Sequence, residues 1–408
     1  MISHSNVENK SVSTALKKIV KSVGTDLKTV AKNNIRQYTM IAALLLIWAI
    51  FTILTGGTFL TPRNISTLFM QMVTFAIMTS GMLLVMVSGV IDLSAGSVLG
   101  TLGALAAWLM ARGTSPTFAI LITLLAGFLV GCWHGYWVAF RKVPAFIVTL
   151  ASMLAFRGIT LIIAKNQTID ISNESFKLIG SGYIPNISFF GNSLHFTSLI
   201  LVCLAAILFL VATIRTRGKR KKNGFAVLRP SIEAGKIIIV ISAIIGIGMF
   251  FINYKGIQYA VLILAAVAII FTIITTRTPF GRHVYAIGGN IEAARLSGVN
   301  IKKTMLGIWM LMGLMAAVGA LVYTARLGSA EMNAGMGFEL GIIAACIIGG
   351  TSTSGGIGTI FGAIIGALVM ASLDNGMSLM NLPIMYQYVV KGLILILAVW
   401  IDYANRKK

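Results

Sequence analysis

The sequence predicts an all-α polytopic membrane protein with about ten to twelve transmembrane helices. Its 408 residues are 57% hydrophobic and only 11% charged, and the mean hydropathy is +0.91. A soluble domain would need far more polar residues to cover its surface. Apolar runs near 20 residues recur, which is the helix length that spans a bilayer core. They lack the period-two alternation of a transmembrane barrel.

The basic residues support the same fold class. Most of the 33 lysines and arginines lie in five short segments beside apolar runs, namely 1–36, 141–142, 215–236, 277–303 and 406–408. This is the positive-inside pattern, and it places all five segments in the cytoplasm. The formal charge of +22 is therefore spread over membrane flanks, so we exclude a nucleic-acid partner.

These cytoplasmic anchors fix the direction of every crossing, and twelve segments satisfy them. A basic cytoplasmic segment, 1–37, precedes a transmembrane domain at 38–403, and a cytoplasmic tail follows at 404–408. The polar stretch 166–196 faces outside, and 215–236 is a basic cytoplasmic linker. We expect crossings at about 38–58, 66–88, 95–111, 117–139, 144–165, 197–214, 237–254, 257–276, 304–325, 338–351, 356–372 and 384–402. The eleventh is short, and the second, third, tenth and eleventh remain open to a partly re-entrant arrangement.

One cytoplasmic stretch is too long to be a simple turn. Gly281–Gly298 is polar and basic, and it holds the helix-forming residues Glu292-Ala293-Ala294-Arg295 between glycines. We expect this surface to dock a partner.

Two polar breaks interrupt the apolar runs. The first break, Gly89–Ser97, contains Asp92 and Ser94. A carboxylate between apolar segments usually faces a cavity or a partner, but both residues also suit the N-cap of the next helix. Either role remains open, and the two are compatible.

The second break, Gly349–Thr359, is rich in glycine, serine and threonine. It is not a P-loop, because no lysine follows and no strand precedes it. Its hydroxyls and free amides suit a neutral, polyol-like cargo in a water-filled cavity. A tight hairpin between two helices explains the same composition equally well.

Glu339 begins the tenth segment, where it either stabilises the helix N-terminus or lines an external mouth. Arg157 is the main basic residue inside an apolar segment. The three cysteines have no metal-ligand spacing, and no nucleophile–base pair or Walker A motif is visible. The chain therefore predicts a transport subunit rather than an enzyme, without a metal, and any energy has to come from a partner.

Four ordered motifs resemble the permease subunits of bacterial monosaccharide ABC importers of the ribose, galactose and xylose type. The motifs are Gly89–Ser97, Pro144–Leu150, Phe280–Gly298 and Glu339–Gly358, and the resemblance covers roughly residues 40–403. The extra pair of segments around 197–254 is most similar to the longer xylose or multiple-sugar permeases.

The resemblance implies a type II-like importer fold in the bacterial inner membrane, with both termini cytoplasmic. It implies a second permease copy, an ABC ATPase that uses the ATP, and an extracytoplasmic sugar-binding protein, with lipid around the chain and no cofactor bound to it. The ATPase-coupling segment is 278–303, and its matching residues are Gly288, Gly289, Asn290, Glu292, Ala293, Ala294, Arg295 and Gly298. The residues expected along the translocation pathway are Asp92, Ser94, Ser97, Glu339, Thr351, Ser352, Ser354, Gly355 and Gly356.

The resemblance thus implies import of a xylose-type pentose or a related sugar. Two alternatives remain open: a permease for nucleosides or branched amino acids in the same superfamily, and a secondary carrier that needs no ATPase. The second is disfavoured because few ionisable residues lie near the apolar runs.

Overall fold

The computed structural model describes residues 35–187, 194–225, 227 and 229–406. The predicted N-terminal segment, 1–37, lies almost wholly outside the described residues, as do the last two residues of the tail. The α-helices are α1 Ile35–Leu54, α2 Pro62–Val87, α3 Ala95–Ala111, α4 Pro116–Gly135, α5 Ala145–Ala164, α6 Glu174–Ser181, α7 Phe196–Lys222, α8 Pro230–Ile252, α9 Tyr259–Arg277, α10 Pro279–Gly289, α11 Ile291–Leu296, α12 Ile301–Leu327, α13 Phe338–Ile348, α14 Ile360–Leu379 and α15 Ile384–Arg406.

Short elements complete the described architecture. Strands β1, Ile169–Asp170, and β2, Ser329–Ala330, pair antiparallel, with Ile169 opposite Ala330. A 3₁₀ turn, Thr58–Leu60, precedes α2, and one π-helical turn, Tyr136–Phe140, extends α4.

The predicted fold class is confirmed. Among the described residues, eight helices are long and apolar enough to cross a membrane: α2, α4, α5, α7, α8, α9, α12 and α14. Shorter apolar helices lie within α1, α3, α13 and α15. Together they correspond to the twelve predicted segments.

Helix starts are encoded locally by proline and by capping hydroxyls. Thr61 precedes Pro62 and accepts a hydrogen bond from the amide of Asn64 at the start of α2. Thr278 precedes Pro279 and caps α10 in the same way through the amide of Gly281. Proline suits the first helical position because that amide has no partner inside the helix.

The chain divides into two compact units. Within the described residues, the first contains most of α7 and α8, residues 198–249. The second holds the remaining described helices, and α2 is its most buried membrane helix. Glycines let helices approach closely there: a Cβ on Gly131 would lie 2.7 Å from the Cα of Met310 in α12.

Three stretches differ from their predicted extents. The basic linker is largely helical, because α7 continues to Lys222 and α8 begins at Pro230; lysine and arginine are good helix formers. The stretch 166–196, which is predicted to face outside, contains α6, whose N-terminus is capped by Asn173. Helix α14 extends to Leu379 and is long enough to span.

The eleventh predicted segment ends too early, at about residue 372, because a carboxylate such as that of Asp374 is typical of the end of an apolar segment. In the structure Asp374 lies inside α14, and its carboxylate is 2.8 Å from Nζ of Lys391 in α15. The ion pair lets a carboxylate remain within an apolar helix.

Candidate coupling and translocation site

The predicted coupling segment folds as two short helices with a sharp change of direction between them. Asn290 separates α10 from α11 with extended backbone angles, and its side-chain oxygen accepts a hydrogen bond from the amide of Ala293 at 2.9 Å. This is an N-cap, which asparagine favours. Asn290 therefore ends one helix and starts the next.

The outward face of α11 is an exposed surface of mixed character. Glu292 and Arg295 form an ion pair at 2.8 Å with side chains about two-thirds exposed, at 66% and 68%. Beside them Leu296 is 82% exposed and Ile291 is 50% exposed. Apolar side chains next to charged ones on a surface helix are typical of a docking site. The sequence reasoning missed Ile291 and Leu296, although both flank the predicted motif.

The inward side of α10 contacts the end of α2 and the second break through Gly288. A Cβ at Gly288 would overlap the carbonyl oxygen of Val87 and lie 2.6 Å from the amide nitrogen of Gly356. That amide donates a hydrogen bond to the same carbonyl of Val87 at 2.8 Å. The end of α2, the second break and α10 thus meet at one point, where only a glycine fits. We call this contact the three-way junction.

Tyr285 makes a second connection from α10 to the second break. Its hydroxyl donates a hydrogen bond to the carbonyl oxygen of Gly358 at 2.7 Å. Burial raises the pKa of Tyr285, so the phenol keeps its proton and remains a donor across the physiological range. The sequence reasoning did not select Tyr285, because a tyrosine in an amphipathic helix carries no local signal of this contact.

The second break forms a tight turn, as one of its two interpretations expected. The amide of Ser352 donates to the carbonyl of Ile357 at 2.9 Å, and the hydroxyls of Ser352 and Ser354 are 3.1 Å apart. Gly355 and Gly356 have positive φ angles, which glycine adopts without strain. Thr351 Oγ1 is buried, and no described residue supplies it with a hydrogen-bond partner. The pathway role of this turn stays a prediction.

The first break is ordered by Asp92. One oxygen of its carboxylate accepts hydrogen bonds from the amide of Ser94 at 2.8 Å and from its hydroxyl at 2.6 Å. Ser94 occupies the N-cap position of α3, but its side chain makes no capping bond. The expected side-chain cap at Ser94 is therefore replaced by a turn over residues 92–94, in which the Asp92 carboxylate accepts both hydrogen bonds from Ser94.

Glu339 lies where the N-terminal ends of α3 and α13 meet. It is in the first turn of α13, consistent with the expected interaction with the helix dipole. Its Oε1 accepts a hydrogen bond from Nη2 of Arg157 at 3.3 Å, whereas Oε2 is buried without a described partner. A Cβ on Gly96 of α3 would overlap Oε2 and the carbonyl of Gly335. Arg157, which the sequence analysis noted only as a basic residue inside an apolar segment, thus belongs to this site.

The predicted pathway residues therefore form two groups. Ser97 and Glu339 lie at the meeting helix ends, and the buried Oγ of Ser97 also has no partner in the described part of the chain. Thr351–Gly356 lies at the three-way junction. The first break joins the groups, because it leaves α2 at the junction and enters α3 beside Glu339. Gly298 lies on the exposed side, away from both groups.

The chemistry available in these groups is hydrogen bonding and charge pairing. The groups offer hydroxyls, backbone amides, the Asp92 carboxylate and the Arg157–Glu339 ion pair. No cluster of three His, Cys, Asp or Glu residues that could hold a metal ion is found among the described residues.

Interrupted apolar helices joined to an exposed surface helix define a membrane transport permease. The chain belongs to the family described as "Branched-chain amino acid transport system / permease component", whose model matches residues 64–220 and 225–399. The gap in the match, 221–224, falls at the end of α7, before α8 begins.

Curated relatives cover nearly the whole chain. The xylose transport system permease protein XylH of Escherichia coli K12 is 42% identical over 379 residues, 92% of this chain and 93% of that protein. XylH of Haemophilus influenzae is also 42% identical, over 92% of this chain and 98% of its own length. The ribose import permease protein RbsC of Bacillus subtilis is 31% identical, over 89% and 91%. No solved structure matches the chain.

Proposed function

We propose that the chain is the permease subunit of an ATP-driven ABC importer that moves a monosaccharide, a xylose-type pentose or a related sugar, into the cell. The observation that carries the proposal is the three-way junction, where α10 contacts the second break and the end of α2, immediately before the first break. The names of the relatives, which transport xylose and ribose, support the choice of cargo.

In this proposal an ATPase subunit binds to the exposed surface of α11. Glu292, Arg295 and the exposed Leu296 supply charged and apolar contacts. A movement of α11 passes through Asn290 to α10, and from Gly288 to the end of α2 and to the turn at Gly356. Closely packed backbone atoms cannot move independently of one another. A shift of α10 therefore displaces the end of α2, where the first break begins, together with the second break.

The family and the named relatives support the choice of partners. The chain itself binds no cofactor, and ATP is used by the partner ATPase. An extracytoplasmic binding protein delivers the sugar, and a second permease copy completes the pathway. The chain lies in the bacterial inner membrane with both termini in the cytoplasm, as the basic clusters favour.

The polar groups of the pathway suit a neutral cargo. Ser97 and Thr351 have buried hydroxyl oxygens to which no described residue hydrogen-bonds, and such groups gain from meeting the hydroxyls of a passing sugar. The Arg157–Glu339 pair is internally balanced, and the Asp92 carboxylate accepts hydrogen bonds from Ser94. A branched-chain amino acid is the second candidate, because the family description names it.

Reconstituted transport tests the proposal. We expect ATP-dependent xylose uptake into proteoliposomes only when the chain is combined with its ATPase and a xylose-loaded binding protein. Uptake by the chain alone would identify a secondary carrier. Partner-dependent uptake of leucine but not of xylose would favour the amino-acid permease.

A further inference from the structure

The basic end of the helix pair α7–α8 contains a cavity that the transport proposal does not use. Its volume is about 300 Å³, and all its lining residues belong to residues 209–236. The polar lining residues used here are Thr213, Thr216, Arg217, Arg220, Glu233 and Lys236.

The lining changes character along α7. Phe209 and Ala212 form an apolar wall, and Arg217 and Arg220 follow about two and three turns after Phe209. The distance from Phe209 to Arg220 is about 16 Å along the helix axis. An elongated ligand with one apolar part and one anionic part fits this gradient.

The charges in the cavity are not balanced. Arg217 forms an ion pair with Glu233, and the side chains of both are largely buried, with 26% and 14% exposure. Arg220 and Lys236 line the same cavity, and no described carboxylate lies within ion-pair distance of either. The Glu233 carboxylate therefore neutralises Arg217, and the positive charges of Arg220 and Lys236 remain for a ligand.

The threonines do not compete for that ligand. The hydroxyl of Thr213 donates to the carbonyl of Phe209 at 2.9 Å, and that of Thr216 donates to the carbonyl of Ala212 at 2.7 Å. The hydrogen-bond donors that remain for a ligand are thus the cationic side chains. Guanidinium and ammonium groups together are a common arrangement for binding a phosphate ester.

We propose that this cavity binds the phosphate headgroup of an anionic phospholipid, with an acyl chain along the apolar wall. The headgroup phosphate contacts Arg220 and Lys236, and Arg217 borders it while held by Glu233. A membrane lipid fits the cavity better than free phosphate, because an inorganic ion would make no favourable contact with the apolar wall. The positive-inside rule places this end at the cytoplasmic leaflet, where basic pockets between helices recognise such lipids.

Native mass spectrometry of the purified full-length chain tests the proposal, with phosphatidylglycerol and phosphatidylcholine as probes. The wild type should bind phosphatidylglycerol in preference to phosphatidylcholine. Arg220→Gln plus Lys236→Gln should weaken phosphatidylglycerol binding by roughly tenfold or more, since each substitution removes a charge-assisted hydrogen bond to the headgroup phosphate.

The matched control is Lys219→Gln plus Lys222→Gln. It removes the same charge from the basic end of the same helix pair, at exposed residues outside the cavity, and should change binding less than about twofold. Equal losses in both double variants would overturn the site in favour of diffuse surface charge. Displacement of the lipid by millimolar inorganic phosphate would overturn the choice of a lipid.

Helix content by circular dichroism and a single size-exclusion peak establish that each variant is folded. The lipid readout does not depend on transport, so its failure and a failure of the importer proposal are distinguishable.

Discussion

Tyr285 joins α10 to the second break through one hydrogen bond, from its hydroxyl to the carbonyl of Gly358. A buried hydrogen bond of this kind contributes about 0.5–1.5 kcal/mol. It is therefore strong enough to affect coupling and too weak to decide whether the chain folds.

Tyr285→Phe should lower the sugar imported per ATP hydrolysed by a few-fold, up to about tenfold, with an unchanged apparent Tm within a few degrees. Because the pKa of Tyr285 is raised, the wild-type phenol stays protonated at least to its ordinary value of about 10. Wild type and variant should therefore show parallel pH profiles between pH 6 and about 9. A wild-type loss in this range that the variant lacks would contradict the assigned donor role.

Arg157 and Glu339 form the charged contact at the meeting ends of α3 and α13. The carboxylate is nearly buried, whereas the guanidinium is partly exposed, at 7% and 38%. Removing the arginine leaves a buried carboxylate without its cation, and removing both charges does not.

Arg157→Leu should destabilise the protein by about 1–3 kcal/mol, less than for a fully buried pair because Arg157 is partly solvated. Arg157→Leu plus Glu339→Gln should recover a substantial part of that loss. The measurement is the apparent Tm in detergent at one scan rate. Equal values for the single and double variants would mean that Arg157 does not neutralise Glu339.

At the scale of elements, α11 combines an exposed ion pair with exposed apolar side chains. An exposed pair contributes only about 0–1 kcal/mol to stability, so its arrangement is better explained by recognition. The short helix needs little help from the pair, because Asn290 caps it and Ala294 is buried against the bundle.

Exchange of the two charges separates recognition from helix stability. Glu292→Ala plus Arg295→Ala should leave the apparent Tm nearly unchanged and reduce ATPase binding and coupled uptake about tenfold or more. Glu292→Arg plus Arg295→Glu rebuilds the ion pair with reversed polarity and should not restore uptake. Full restoration by the exchange would show that the pair acts only within α11.

The elements also differ in how far the sequence predicts them. Hydropathy and basic flanks predict the membrane helices, because each needs only its own apolar length. Thr278, Pro279 and Asn290 are local capping signals that explain the start of α10 and the change of direction before α11, although the sequence analysis did not draw on them. The predicted end of α14 was wrong because Lys391, the residue that neutralises Asp374, lies on another helix.

At the scale of the whole molecule, the three-way junction is the feature that the sequence could not predict. Val87, Gly288 and Gly356 are far apart in the chain, and each is an ordinary residue in its local context. Their contact depends on how α2, α10 and the second break are placed by the bundle around them. The sequence predicts the parts of the site, whereas tertiary packing determines how they are connected.

This junction gives the molecule a direct route from its surface helices to both interruptions of the membrane helices. The route runs from α11 through Asn290 and α10 to the end of α2 and the turn at Gly356. From there the first break continues to the ion pair of Arg157 and Glu339. In the proposed importer, we expect a movement of α11 to reach the polar groups inside the bundle along this route.

The most direct test compares Gly288→Ala with Gly289→Ala in the reconstituted importer, as sugar imported per ATP hydrolysed. A Cβ at Gly288 would overlap Val87, whereas one at Gly289 has no atom within 4 Å. Both glycines lie at the end of α10, so the helix-forming effect of alanine is matched. The account predicts a loss of roughly tenfold for Gly288→Ala and near wild-type coupling for Gly289→Ala, with both complexes assembled. Equal coupling in the two variants would contradict transmission through the three-way junction.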